Sequence, residues 1–159
     1  MRDRANLKSA SLALLATTLL VLAWSTQASA QFSARLFTTG ANNEIRFASG
    51  SASWCVHVEP IGGNFALTSI DLCSVKLSSP PNGSVNDLAL NCTKPVVVGD
   101  ADGNGIQDIQ FCFPKVDMHP LFDNLHGASP KTVTVFVTGN LTTGGTFGGA
   151  LTLTLYLKS

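Results

Sequence analysis

The sequence predicts an all-β fold, an antiparallel β-sandwich of immunoglobulin-like or Greek-key type with one short helix. Three observations carry this expectation. Apolar residues recur with a period of two in several short segments, clusters of Gly, Pro, Asn and Thr separate those segments, and past the first thirty residues only one stretch has helical character. A closed barrel is the lesser alternative.

Residues 1–30 are set apart first. A charged start (Arg2, Asp3, Arg4, Lys8), an apolar run from Leu12 to Trp24 and the small-residue ending Ala28-Ser29-Ala30 follow the plan of a cleaved secretory signal peptide. The mature chain then begins near Gln31 and forms a single domain over 31–159. Within it, Phe32 to Phe37 and Glu44 to Phe47 are short candidate strands. Trp54, Val56 and Val58 alternate with Cys55, His57 and Glu59, which gives a strand with the latter group on its polar face. Phe65 to Leu77 reads as extended with a break, and Val96 to Val98 as a short strand. Ile109, Phe111 and Phe113 alternate with Gln110 and Cys112. Asp117 is placed to cap a helix running through Leu125, with Pro120 in its first turn and Gly127 beyond its end. The two clearest strands close the chain, with Val133, Val135 and Val137 on one and Leu151, Leu153, Leu155 and Leu157 on the other. Thr142-Thr143-Gly144-Gly145 joins them as a hairpin.

Seven basic against nine acidic side chains leave the mature chain at net charge −2 with neutral histidines. Nucleic-acid binding is disfavoured, because duplex affinity comes largely from cations that displace phosphate counterions. No later apolar run is long enough for a membrane-spanning helix, and no membrane anchor is visible in the mature chain. Cys55, Cys73, Cys92 and Cys112 are spaced 18, 19 and 20 apart, which suits disulfides in an exported protein better than the close pairs of a zinc site. Three pairings are open. Cys55 with Cys73 and Cys92 with Cys112 are preferred, since each pair brackets a turn-rich stretch.

The chemistry concentrates in one loop, Gly99 to Phe111. Asp100, Asp102, Asn104 and Gly105 follow D-x-[DN]-x-[DN]-G, in which alternate side-chain oxygens converge across a tight turn. Gly105 permits the bend, after which the Ile106 carbonyl can point inward. The twelfth position, where an EF-hand carries a bidentate Glu, is Phe111, so Asp108 at the ninth position is the candidate replacement. Val96 to Val98 before the loop and Ile109 to Phe111 after it place it between strands rather than helices. Hard oxygen donors with three formal negative charges favour calcium, held by Asp100, Asp102, Asn104, the carbonyl of Ile106 and Asp108. An Asx- and Gly-rich turn without an ion is the competing reading.

The loop resembles the D-x-D-x-D-G-x-x-D calcium loops of thrombospondin type-three and integrin-type repeats, with Asn104 at the third acidic position. Its setting looks like that of a domain recurrent in secreted bacterial proteins. Ser69-Ile70-Asp71-Leu72-Cys73-Ser74-Val75-Lys76-Leu77 precedes the loop, Phe111-Cys112-Phe113 follows it, and Val137-Thr138-Gly139-Asn140-Leu141 through Phe147-Gly148-Gly149 forms the closing hairpin. The resemblance spans residues 54 to 157. It implies a secreted, calcium-bound β module of unsettled function, with no catalytic residues to transfer.

Other constellations are weaker. His57, His119 and His126 form no ligand cluster by spacing and read as surface or packing residues, with His57 separate from the ion loop. No G-x-S-x-G elbow is present, and the paired glycines near residues 144–149 precede neither Lys-Ser/Thr nor a helix. Sequons stand at Asn82, Asn91 and Asn140; in a eukaryote they would suggest surface glycans, whereas the bacterial resemblance implies that they are coincidences of a Ser- and Thr-rich chain. The expected function is therefore a secreted or periplasmic calcium-binding module with a structural or interaction role, not an enzyme, whose partner is an extracellular protein or glycan. A carbohydrate-binding or adhesion module is the alternative, and a small secreted hydrolase a weaker one. Amino-terminal sequencing of exported protein should start near Gln31; a sequence beginning at Met1 would refute the export reading.

Overall fold

The computed structural model describes residues 29–40 and 43–157, so the expected signal peptide falls outside the described residues except for Ser29 and Ala30. β1 (Gln31–Phe37) and β2 (Glu44–Arg46) lead into β3 (Ser53–Pro60). Short strands β4 (Lys76–Ser78), β5 (Asp87–Ala89) and β6 (Val97–Gly99) follow. Then come β7 (Asp108–Pro114), the short α-helix α1 (Lys115–Met118), β8 (Lys131–Asn140) and β9 (Thr146–Tyr156).

The all-β expectation with one short helix holds. The sheet differs from the antiparallel sandwich expected. Its path is β5-β4-β8-β9-β1-β3-β7-β6, one curled mixed sheet in the shape of a half-barrel, with β2 also paired to β9. β1 is the reason. Gln31–Ser33 run parallel to Thr146–Gly148 of β9, whereas Ala34–Phe37 run antiparallel to Pro60–His57 of β3. A single strand thus changes partner midway and joins what would otherwise be two sheets. β2 adds a second parallel pairing at the far end of β9. Alternation in a sequence reports which face a residue occupies and carries no information on the direction of the neighbouring strand.

The inward residues of β3, β7, β8 and β9 meet in one core. Val56, Val58, Phe111, Phe113, Val135, Val137 and Leu155 are all buried there. The expected hairpin between β8 and β9 forms with ten paired positions, from Lys131↔Leu155 to Asn140↔Thr146. Leu157, assigned to the same face as Leu155, lies beyond the end of β9 and is only partly buried.

Three local expectations are corrected. The helix starts at Lys115 after Pro114, with no capping side chain, and passes into a 3-10 turn over His119–Leu121 instead of continuing to Leu125. Pro120 has no N–H to give the carbonyl of Val116, so α-helical bonding stops there. Leu121 and Phe122 still reach the core. Phe65 to Leu77 is mostly not strand but two 3-10 turns, Leu67–Ser69 and Leu72–Ser74. There Ser69 Oγ donates to Ala66 O at 2.6 Å, Ser74 Oγ to Asp71 O at 2.6 Å, and Asp71 Oδ1 accepts from Cys73 N. Such short polar side chains offer the backbone local partners in place of a ladder.

The third correction is the disulfide pairing. Cys55 bonds Cys112 and Cys73 bonds Cys92. Cys55 and Cys112 sit opposite each other in the β3–β7 ladder, so the register of that pair brings them together. The preference for bridges around local turns overlooked this non-local pairing. Closing loops of 57 and 19 residues stabilises by roughly 4 and 3 kcal/mol in the chain-entropy account. The bridges fit an extracellular or periplasmic protein. No helix among the described residues is long and apolar enough to cross a membrane.

The change of partner in β1 depends on close backbone approach at Gly149. A Cβ there would lie 2.5 Å from Ala34 O and 2.8 Å from Leu36 Cγ. Gly149→Ala should lower stability by about 1–3 kcal/mol, the usual cost of overpacking. Gly50→Ala, which meets nothing within 4 Å, should leave the melting temperature nearly unchanged. Equal melting of the two variants would refute this account.

Candidate metal centre

The loop between β6 and β7 follows from a short antiparallel pairing, Val97↔Gln110 through Gly99↔Asp108. The acidic segment thus begins directly after one strand and returns at Asp108, the first residue of the next. Asp100, Asp102 and Asp108 each bring one carboxylate oxygen within 4.8 Å of the others. Asp100 and Asp102 are exposed, and Asp108 is buried.

Local hydrogen bonds shape the turn before any ion is considered. Asp100 accepts from the backbone N–H of Asn104 at 3.0 Å and of Gly105 at 2.8 Å. Asn104 Oδ1 accepts from Ile106 N at 2.8 Å. Gly105 has φ 87°, in the left-handed region that glycine occupies without steric cost. Asp108 closes the loop by accepting from Ala101 N–H at 2.7 Å. Of the expected ligands, the three aspartates converge. Asn104 lies beside them with its amide nitrogen turned to Asp102 at 3.3 Å and to Glu59 at 2.8 Å. Ile106 is in the same turn, its side chain exposed.

The loop does not stand free of the sheet. His57 and Glu59, expected on a polar outer face, are 5% and 4% exposed because the acidic loop and β1 cover that face. Arg35 stands opposite Glu59 in the β1–β3 ladder and grips its carboxylate with two bonds, at 2.9 and 2.8 Å. The same guanidinium reaches Asp102. His57 Nδ1 lies 2.7 Å from Asp108 Oδ1, and Gln110 Nε2 lies 3.0 Å from His57 Nε2. An ionised Asp108 can only accept, so Nδ1 carries the proton and Nε2 accepts from the Gln110 amide. Phe37 stacks on this imidazole with ring centroids 5.0 Å apart, and Arg35 lies over the Phe37 ring.

His57 is therefore no bystander to the loop, contrary to the expectation from spacing, and Arg35 and Glu59 are further site residues that the motif does not contain. Their signal lies in strand register. Once β3 is flanked by β1 and β7, Arg35 faces Glu59 and His57 faces Gln110. A motif search along the chain has no access to that.

The electrostatics are those of an acidic cluster only partly neutralised from within. Four carboxylates, those of Asp100, Asp102, Asp108 and Glu59, meet one guanidinium. The hydrogen bond from Arg35 holds the Glu59 carboxyl below the ordinary glutamate range, against a desolvation that pushes it up. Arg35 likewise lowers Asp102, while these two acids raise the guanidinium further. Oxygen-only donors on a glycine-bent turn fit a hard divalent ion, and no thiolate or imidazole belongs to the convergent set.

A comparison of the chain with protein-family models, curated proteins and solved structures finds no match. The chemistry of the site therefore rests on its own geometry. The aromatic side chains add a further fact: Trp54 is buried in the core, and among the described residues Phe136 is the one exposed aromatic ring.

Because the folded-state pKa of Glu59 is depressed, its ion pair contributes stability above the unfolded glutamate pKa of 4.5. That contribution is lost as pH falls through the lower folded value. Melting temperature should fall as pH drops below the ordinary glutamate range, and the fall should be shallower in Glu59→Gln, which begins from a lower plateau. Parallel pH curves for the two proteins would refute the role given to this pair.

Proposed function

We propose that this chain is an exported, non-catalytic β module whose β6–β7 loop binds one calcium ion and uses it to fix the edge of the sheet. The observation that carries the reading is the convergence of Asp100, Asp102 and Asp108 within 4.8 Å on the turn where their spacing places them. The resemblance to thrombospondin type-three and integrin-type loops supports it, as do the two disulfides for export. In this reading the three aspartates supply charged oxygens, Asn104 and the Ile106 carbonyl supply neutral ones, and solvent completes the six to eight ligands calcium takes. The ion relieves the repulsion among carboxylates that Arg35 offsets only in part. The module is secreted or periplasmic, and it acts by presenting a surface to an extracellular protein or glycan.

An apolar groove of about 520 Å³ beside the loop, lined in part by Leu67, Leu72, Val98, Ile106 and Ile109, favours an interaction role. Ordering Ile106 through the ion would order one wall of that groove. A sugar-binding platform has less support, since stacking on sugars needs exposed rings. The two-sheet sandwich remains a useful approximation for the arrangement around the core, with β1 as the strand shared between halves.

Calcium should raise the melting temperature of the mature protein, by the equivalent of about 2.7 kcal/mol when free calcium is a hundred times its dissociation constant. Magnesium should do much less, because it requires a tight octahedron and sheds water reluctantly. Asp100→Ala and Asp102→Ala should remove the shift, and Asp87→Ala, at the opposite edge of the sheet, should retain it. Identical melting in calcium and in chelator, with no heat of calcium binding, would leave the loop a hydrogen-bonded turn without an ion.

A further inference from the structure

The alternation of β7 extends one step past the strand. Ile109, Phe111 and Phe113 point into the core, and Lys115 continues the series at the start of α1. It is 7% exposed. Its ammonium donates to Arg46 O at 2.7 Å and to Ser49 Oγ at 2.5 Å, both neutral acceptors, and among the described residues no carboxylate pairs with it. Burial accordingly lowers the pKa of this lysine. Burying an ammonium without a counter-charge is expensive, and apolar or neutral residues serve structural purposes at less cost.

Lys115 also lines a cleft of about 500 Å³, together with residues 38–40, Asn43 and Glu44. The lining is rich in hydroxyls, with Thr38, Ser49, Ser51 and Ser53 among its residues. Its other charges cancel, because Glu44 pairs with Arg46 at 2.7 Å. Trp54 belongs to the same lining, and its buried indole Nε1 donates to no protein atom. An ammonium has three N–H donors, two of which are engaged. The cleft thus carries one net positive charge, an unspent ammonium donor and several hydroxyls, and it is large enough for a small ligand.

We infer that this cleft is an anion site in which Lys115 receives an oxyanion, a carboxylate or a phosphate or sulfate group, of a small extracellular ligand. The cleft shares no charged side chain with the acidic loop. The anion supplies the counter-charge that the fold omits, through a charge-assisted hydrogen bond in a partly desolvated setting.

The test is an NMR titration of the mature protein with inorganic phosphate and, separately, acetate, at constant ionic strength set with chloride. The phosphate and acetate arms distinguish a tetrahedral from a planar oxyanion. Saturable shifts should appear at the amides of Ser49, Ser51 and Lys115 for at least one probe. In Lys115→Met, which keeps the length and apolar stem, affinity should fall at least tenfold. A second readout needs no variant: the pKa of Lys115, followed at its ε-carbon, should rise when the anion saturates the site. Shifts that grow linearly without saturation, an unmoved Lys115 pKa, or equal binding by Lys115→Met would each overturn the proposal.

Discussion

Burying a carboxylate costs several kcal/mol unless its oxygens find partners, and Asp108 meets that requirement from two sides. The Ala101 N–H binds one oxygen from within the loop, and His57 binds the other from the neighbouring strand. One side chain thereby closes the turn and ties it to the sheet. With Asp108 held there, the return of the chain from Asp100 is fixed, and the exposed aspartates converge on it. The imidazole is held in turn by Gln110 and by the Phe37 ring. The acidic loop is thus supported from beneath by a row of residues contributed by β1, β3 and β7.

That row exists because β1 changes partners. Its first half extends β9 and its second half extends β3, so Arg35 and Phe37 are delivered to the outer face of β3 beside the loop. A strand committed wholly to β9 would leave Glu59 without a cation and His57 without a stacking partner. The Cys55–Cys112 bridge spans the same β3–β7 ladder two positions from the His57↔Gln110 pair. The bridge, the ladder and the polar row therefore constrain one another, and the part of the molecule with the most concentrated charge is also covalently fastened.

The two charged regions follow opposite rules. At the acidic loop, carboxylates outnumber the cation that faces them, and the excess is concentrated on an exposed turn. At Lys115, a cation is taken out of water with only neutral oxygens for company. Glu59 offers the contrast of a buried charge satisfied internally, with two bonds from Arg35 and one from Asn104. A buried charge without a partner is costly wherever it occurs, and the three groups meet that cost in different degrees.

The sequence by itself determined the strand-rich class, the inward faces of β3, β7, β8 and β9, the closing hairpin and the aspartates of the loop. Each of these is a matter of residue type at short spacing, and a two-residue repeat or a D-x-D turn expresses its physics within a few positions. Tertiary structure alone decided the partners across strands. The parallel runs of β1 and β2 on β9, the bridge from Cys55 to Cys112, the grip of Arg35 on Glu59 and the burial of His57 all join residues distant along the chain. Alternation marked His57 and Glu59 as outward, which they are, but whether an outward face meets water depends on what folds over it. Sheet register brings the β1 residues and the acidic loop onto that face, and register is a property of the paired strands rather than of either one.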